Sequence, residues 1–262
     1  MQRVDIGDVT LNVLEAGRGP VLLLAHGYPL DHQMWRHQIE NLSRDYRVIA
    51  PDLRGFGQSD VSPGSVSMQR YADDLAALLE ALDAREAVTL CGLSMGGYIA
   101  FQFALRHRSR LAKLILCDTK AVADTPEGAQ ARHDSAQKVL AEGAQAIVDG
   151  MLAKLFAPQT AAAQPDTVKV TRKIMLATSP DGIAAALRGM SERPDVRDEL
   201  QNIDVPTLVI CGEHDAIASV EEMRAIAAGL PQAKFVAVPD AGHMAPLENP
   251  AVVNAAIREF LG

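Results

Sequence analysis

The sequence predicts an α/β fold built on a mostly parallel, doubly wound sheet of about eight strands with helices on both faces. Three observations predict it. Short, nearly unbroken apolar runs recur at Val21-Leu22-Leu23-Leu24-Ala25, Val88 to Cys91, Leu114 to Cys117 and Thr207 to Cys211. Runs of this kind suit strands covered on both faces, the condition of a parallel sheet. Amphipathic helical patterns separate the runs: Met34 to Leu42, then Met68 to Leu82 with Leu75, Leu78, Leu79 and Leu82 on one face. Finally, Val88 to Phe101 reads as a strand, a tight turn and a helix in immediate succession.

Taken in order, residues 3 to 15 alternate apolar and polar positions around Gly7-Asp8, the pattern of an antiparallel hairpin. Ser67 stands where an N-cap belongs before the Met68 helix. After Asp118 the strand-helix alternation stops. Residues 122–193 are alanine-rich, helical in pattern and punctuated by Pro126, Pro158, Pro165 and Pro180, which predicts four helices inserted after the sixth strand as a cap. The chain then divides into a first core part (1–121), the cap (122–193) and a second core part (194–262). Cap residues Met151, Leu155, Met175 and Leu187 are candidates to line a substrate pocket, because ligand sites are mostly apolar. Core patterning resumes with a strand after Val205-Pro206, a helix from Val220 to Leu230, a strand from Lys234 to Val238 and a closing helix begun by Pro250.

Composition removes whole classes of function. The 262 residues carry a formal net charge of −8 and no basic block, so nucleic acid is not an expected partner. No apolar run approaches the roughly 20 residues that span a bilayer, and Met1 to Asp8 lacks a signal-peptide h-region. A cytoplasmic protein without membrane partners is expected, as a monomer or a homodimer. Cys91, Cys117 and Cys211 each end a strand-like run and read as buried thiols.

The chemistry concentrates at Gly92-Leu93-Ser94-Met95-Gly96. A chain that reverses within about one residue between strand and helix enters a φ/ψ region costing on the order of 1–3 kcal/mol. Glycines two residues to either side remove the Cβ atoms that would collide there. The serine then faces a helix N-terminus, where unpaired N–H groups favour negative charge. A serine hydroxyl still needs a base and an orienting acid. Asp215, in Gly212-Glu213-His214-Asp215, and His243, after Asp240-Ala241-Gly242, each follow a predicted strand and reach the same sheet edge as Ser94. Asp118, also at a strand end, is the rival acid. Asp52 and Arg54 read as turn and ion-pair architecture, and His26 as a hydrogen-bonding brace. His32, His37, His107 and His133 read as surface or loop residues. Glu213 and His214 have no companions at zinc spacing, so neither a metal nor a cofactor is expected.

Five segments together, His26-Gly27-Tyr28-Pro29, Asp52 to Ser59, Gly92 to Gly96, Gly212 to Asp215 and Gly242-His243, resemble the α/β-hydrolase superfamily along the whole chain. Within it the chain is most similar to small bacterial carboxylesterases with a helical cap, and more loosely to 3-oxoadipate enol-lactonases. The resemblance implies Ser94 as nucleophile, Asp215 as acid and His243 as base, with the backbone N–H groups of Tyr28 and Met95 as oxyanion hole. The Tyr28 ring either touches substrate or packs, and Met95 and Met244, flexible thioethers beside catalytic positions, are pocket-wall candidates. The implied activity is hydrolysis of carboxylic esters, with short acyl chains. Three alternatives remain: a lactone or enol-lactone hydrolase, a haloperoxidase-like activity, and a hydrolase-fold ligand receptor. An anionic lactone would want a base in the pocket, for which Arg132, Lys154, Arg172 and Arg188 are the cap candidates.

Overall fold

The N-terminal hairpin forms as β1 (Gln2–Asp5) and β2 (Thr10–Ala16), antiparallel, with Val4 opposite Leu11. β2 joins the sheet against β4 (Arg47–Pro51), and every remaining pairing is parallel: β3 (Val21–Ala25), β5 (Val88–Leu93), β6 (Leu111–Cys117), β7 (Thr207–Gly212) and β8 (Ala233–Val238). This computed structural model describes all of residues 1–262. The eight strands run in the order β1-β2-β4-β3-β5-β6-β7-β8. Chain progression reverses between β3 and β5, so the crevice beyond their carboxyl ends is where ligands of such sheets bind. Leu22, Leu23, Leu24, Leu90, Leu114 and Ile115 are fully buried, as unbroken apolar strands require.

The helix expected from Met34 divides in two. Asp31 accepts the Gln33 N–H at 2.8 Å and starts a 3-10 turn over His32–Trp35, and α1 occupies only Arg36–Leu42. α2 (Met68–Ala81) is capped by Ser67 as expected, its hydroxyl accepting the Arg70 N–H at 3.1 Å. α3 (Met95–Arg106) follows β5 and lies buried along most of its length. Arg54 makes a buried two-pronged pair with Asp74, at 2.8 and 2.6 Å, and also reaches Asp8, which ties the loop after β4 to α2 and the hairpin.

Residues 122–193 form five α-helices, one more than expected: α4 (Pro126–Glu142), α5 (Gln145–Leu155), α6 (Pro158–Ala163), α7 (Pro165–Ala177) and α8 (Pro180–Ser191); a 3-10 helix over Arg197–Asn202 follows before β7. Pro158 and Pro165 each open a separate helix, so a stretch that reads as continuous alanine-rich sequence contains an additional short one. One cluster of buried hydrophobic residues includes the sheet strands and also Val139, Val148 and Ile183, so these helices share the core. α8 lies deepest. The Val66 N–H donates to the Ala185 carbonyl at 3.1 Å, Arg188 donates to the Gly64 carbonyl at 2.9 Å, and the Gly182 and Gly55 backbones meet where no Cβ would fit. The chain ends with α9 (Val220–Gly229), the short α10 (Ala245–Glu248) and α11 (Pro250–Leu261).

Candidate active site

Ser94 sits between β5 and α3 with φ 54° and ψ −111°, a conformation that non-glycine residues avoid. The turn around it is tight on both sides. A Cβ at Gly92 would strike the Gly96 carbonyl, and one at Gly96 would strike the Ala25 carbonyl at the end of β3. The strain is held by neighbours: the Ser94 N–H donates to the Cys117 carbonyl at 3.0 Å, and the Thr119 hydroxyl donates to the Ser94 carbonyl at 2.7 Å.

Asp215 and His243 arrive from the ends of β7 and β8, as their positions in the sequence predict. Asp215 Oδ1 accepts the N–H groups of Ile217 and Ala218 at 2.7 and 3.0 Å, and Oδ2 accepts from His243 Nδ1 at 2.8 Å. Both side chains are essentially buried, at 0% and 2% exposure. An imidazole that donates through Nδ1 leaves Nε2 as the basic nitrogen. His243 and Ser94 line the same cavity, which has a volume of about 460 Å³.

Tyr28 and Met95 are both buried, and neither backbone N–H donates to another backbone group. Met95 opens α3, where free N–H groups are expected. The Tyr28 loop is braced by two histidines. His26 Nδ1 donates to the Gly27 carbonyl at 2.9 Å while Nε2 accepts the Leu53 N–H at 2.9 Å, so the ring is neutral, and its burial pushes the pKa below the usual value. His32 is not the surface residue expected from sequence. Its side chain is 14% exposed, and Nδ1 donates to Asp52 Oδ1 at 2.6 Å. Asp52 is recruited from the end of β4, and it also accepts from Asn12 and from the Gln58 N–H. Burial acts to raise the Asp52 pKa, but the hydrogen bonds from His32, Asn12 and the backbone outweigh it and bring it to about 2.

Glu248 is a residue that the sequence reading missed. Its Oε1 accepts the N–H groups of Gly242 and Met244 on either side of His243, at 2.9 and 3.2 Å. Oε2 accepts the Ala157 N–H at 2.8 Å and the Thr160 hydroxyl at 2.5 Å. The one available signal was an acidic residue directly after the apolar Met244-Ala245-Pro246-Leu247 stretch.

Of the proposed pocket residues, Tyr28, Met151 and Leu187 line the cavity. Leu155, Met175, Met244 and Met95 do not: all four are buried in packing, and the Met244 N–H is bonded to the Leu155 carbonyl at 3.1 Å. Tyr98, Ile147 and Met190 take their place. Among the cap bases, Arg132 and Lys154 face the cavity, whereas Arg172 pairs with Asp149 outside it and Arg188 serves the Gly64 carbonyl. Asp124 is shared between Arg132 and Arg193, leaving one positive charge in excess. No Asp or Glu lines the cavity, and the buried Tyr28 hydroxyl has no hydrogen-bond partner.

Two groups bring three potential metal-ligating atoms within 4.8 Å of one another: Asp31 with His32 and Asp52, and Asp118 with Cys211 and Asp215. In the first, Asp31 accepts from Gln33 and Asp52 from His32; in the second, Asp215 accepts from His243 and Asp118 accepts the Gly212 N–H through Oδ1. Glu213 and His214 are exposed and belong to neither group.

Known proteins share this fold from end to end. A solved structure of a thermophilic esterase from Thermogutta terrifontis, with malate bound, superposes with a TM-score of 0.98 at 46% identity, covering 100% of this chain and 98% of that one. The enol-lactonase from Burkholderia xenovorans superposes with a TM-score of 0.92 at 28% identity, covering 99% of both chains. An AB hydrolase superfamily protein of Bacillus subtilis, YisY, is 32% identical over 96% of this chain and 95% of its own. The family model for the alpha/beta hydrolase fold matches residues 20–250, and on that match the chain belongs to the α/β-hydrolase family.

Proposed function

We propose that the protein is a serine hydrolase of carboxylic esters. The observation that carries this reading is the 2.8 Å bond from His243 to Asp215 in a cavity that His243 shares with the strained Ser94 turn. Ser94 Oγ attacks the ester carbonyl while His243 Nε2 takes its proton, and Asp215 holds the imidazole tautomer and balances the imidazolium. The carbonyl oxygen becomes an anion facing the Tyr28 and Met95 N–H groups, each such donor being worth about 100- to 1,000-fold in turnover. His243 returns the proton to the departing alcohol. Water, deprotonated by His243, then releases the acid from Ser94.

Lys154, and Arg132 whose Asp124 partner is shared with Arg193, favour a second reading within the same chemistry: esters or lactones that carry a carboxylate. The malate in the Thermogutta terrifontis esterase structure and the enol-lactonase relative support this reading. One panel tests both. Ser94→Ala should abolish hydrolysis of p-nitrophenyl acetate, p-nitrophenyl butyrate and mono-p-nitrophenyl succinate alike, and full retained activity would refute the mechanism. Higher kcat/KM for the succinate than for the butyrate supports the anionic reading, and a lower value leaves neutral esters as the preferred class.

A further inference from the structure

The end of β6 is built into both halves of the site. Cys117 and Thr119 hold Ser94 from below through its N–H and its carbonyl. Asp118, between them, turns toward the acid. It is fully buried with φ 46°, its N–H donates to the Ile210 carbonyl of β7 at 3.0 Å, and its Oδ1 accepts the Gly212 N–H at 2.8 Å. Gly212 lies three residues before Asp215.

Asp118 Oδ2 is also buried, yet no donor reaches it. Beside it are Asp215 and Cys211, whose ligating atoms fall with its own within 4.8 Å of one another. The two carboxyl groups are unequally supplied. Asp215 receives two backbone N–H groups and His243 Nδ1, whereas Asp118 receives the Gly212 N–H alone. Two carboxylates this close do not both ionise in a buried site, and the proton belongs on the one with fewer donors.

We propose that Asp118 is a positioning residue, held protonated, whose Oδ2–H donates to the Asp215 carboxylate and so fixes the acid relative to the Ser94 turn. The inference rests on the Ser94–His243–Asp215 reading. Burial, the Asp215 charge and Cys117 all push the Asp118 carboxyl well above the usual carboxylate range, against the opposing Gly212 bond. Facing it are Asp215 from the turn after β7, Cys211 on β7 and Cys117 on β6. Met223 of α9, which accepts the neighbouring Thr119 N–H, adds no charge. The donated proton restrains rotation of the Asp215 carboxylate and draws off part of its charge, which moderates the basicity of His243.

Asp118→Asn and Asp118→Ala test the proposal. The amide is isosteric with the protonated acid: its oxygen accepts from Gly212 and its NH2 donates to Asp215. Its kcat/KM for p-nitrophenyl butyrate should stay within about threefold of wild type, with the acid limb of the pH profile unmoved. Asp118→Ala removes the donor, so kcat should fall about tenfold or more with KM little changed, and the acid limb should move to higher pH because an unquenched Asp215 stabilises the imidazolium. A downward shift of about one unit in Asp118→Asn would mean that a negative charge had been removed, and would overturn the proposal. An alanine variant matching wild type in rate and pH profile would overturn the positioning role. Should Asp118→Ala fail to fold, the wild-type minus Asp118→Asn infrared difference at pH 7 decides: a protonated-carboxyl band supports the assignment and a carboxylate band overturns it. Full activity in Ser94→Ala would sink the triad reading separately, leaving the infrared result on the proton intact.

Discussion

Glu248 accepts the Gly242 N–H at 2.9 Å, and through its second oxygen it holds Ala157 at the start of α6. One carboxylate thus joins the His243 loop to the inserted helices. Glu248→Ala strands the buried Gly242 and Ala157 N–H groups and the Thr160 hydroxyl, at roughly 1–3 kcal/mol each. We expect a markedly lower melting temperature together with a lower kcat on p-nitrophenyl butyrate. A destabilised variant with wild-type kcat would show that the carboxylate braces the fold without positioning His243.

The Asp52–His32 pair sets a pH window for stability. Asp52 has its pKa depressed from 3.8 to about 2, so its contribution is complete above 3.8 and is lost as pH falls through 2. That contribution is on the order of 2 kcal/mol. Burial opposes a charged His32, but the hydrogen bond and charge of Asp52 prevail and raise its pKa. The histidine contribution is complete below 6.5 and is lost as pH rises through the raised value. The melting-temperature gap between wild type and Asp52→Asn should therefore be widest from about pH 4 to 6.5 and narrow on both sides. A gap constant from pH 2 to 9 would contradict this assignment.

Strain at Ser94 is measurable without any substrate. Ser94→Ala keeps a Cβ at φ 54°, whereas Ser94→Gly releases it. The glycine variant should be more stable than the alanine variant by about 1 kcal/mol, or roughly 2–4 °C in melting temperature. Equal melting temperatures would mean that the turn stores no strain at this residue.

What could be read from sequence follows the range of the determining interaction. Ser94, Asp215 and His243 were legible because each lies a few residues beyond an apolar strand, and parallel strands deliver their carboxyl ends to one edge. His32 was not, because its partner Asp52 lies twenty positions away and reaches it only through the pairing of β3 with β4. The pocket was half legible for a similar reason. Lys154 and Leu155 are neighbours in sequence, yet the first faces the cavity while the second packs beneath the His243 loop, and only the seating of α5 decides which does which. The additional short helix escaped notice because alanine-rich sequence flanked by two prolines has no apolar period of its own.

The contact of α8 with the loop after β4 gives the cavity one wall that tolerates no added bulk. With Gly182 against Gly55, and Val66 bonded to Ala185, α8 is a floor fixed to the segment between β4 and α2. α5 supplies Ile147, Gly150, Met151 and Lys154 to the cavity without such a tie. The fold therefore separates two kinds of evolutionary freedom. Cavity-facing side chains of α5 can be exchanged to suit a new substrate while the catalytic edge keeps its shape, but a larger residue at position 182 would push α8 off the loop after β4.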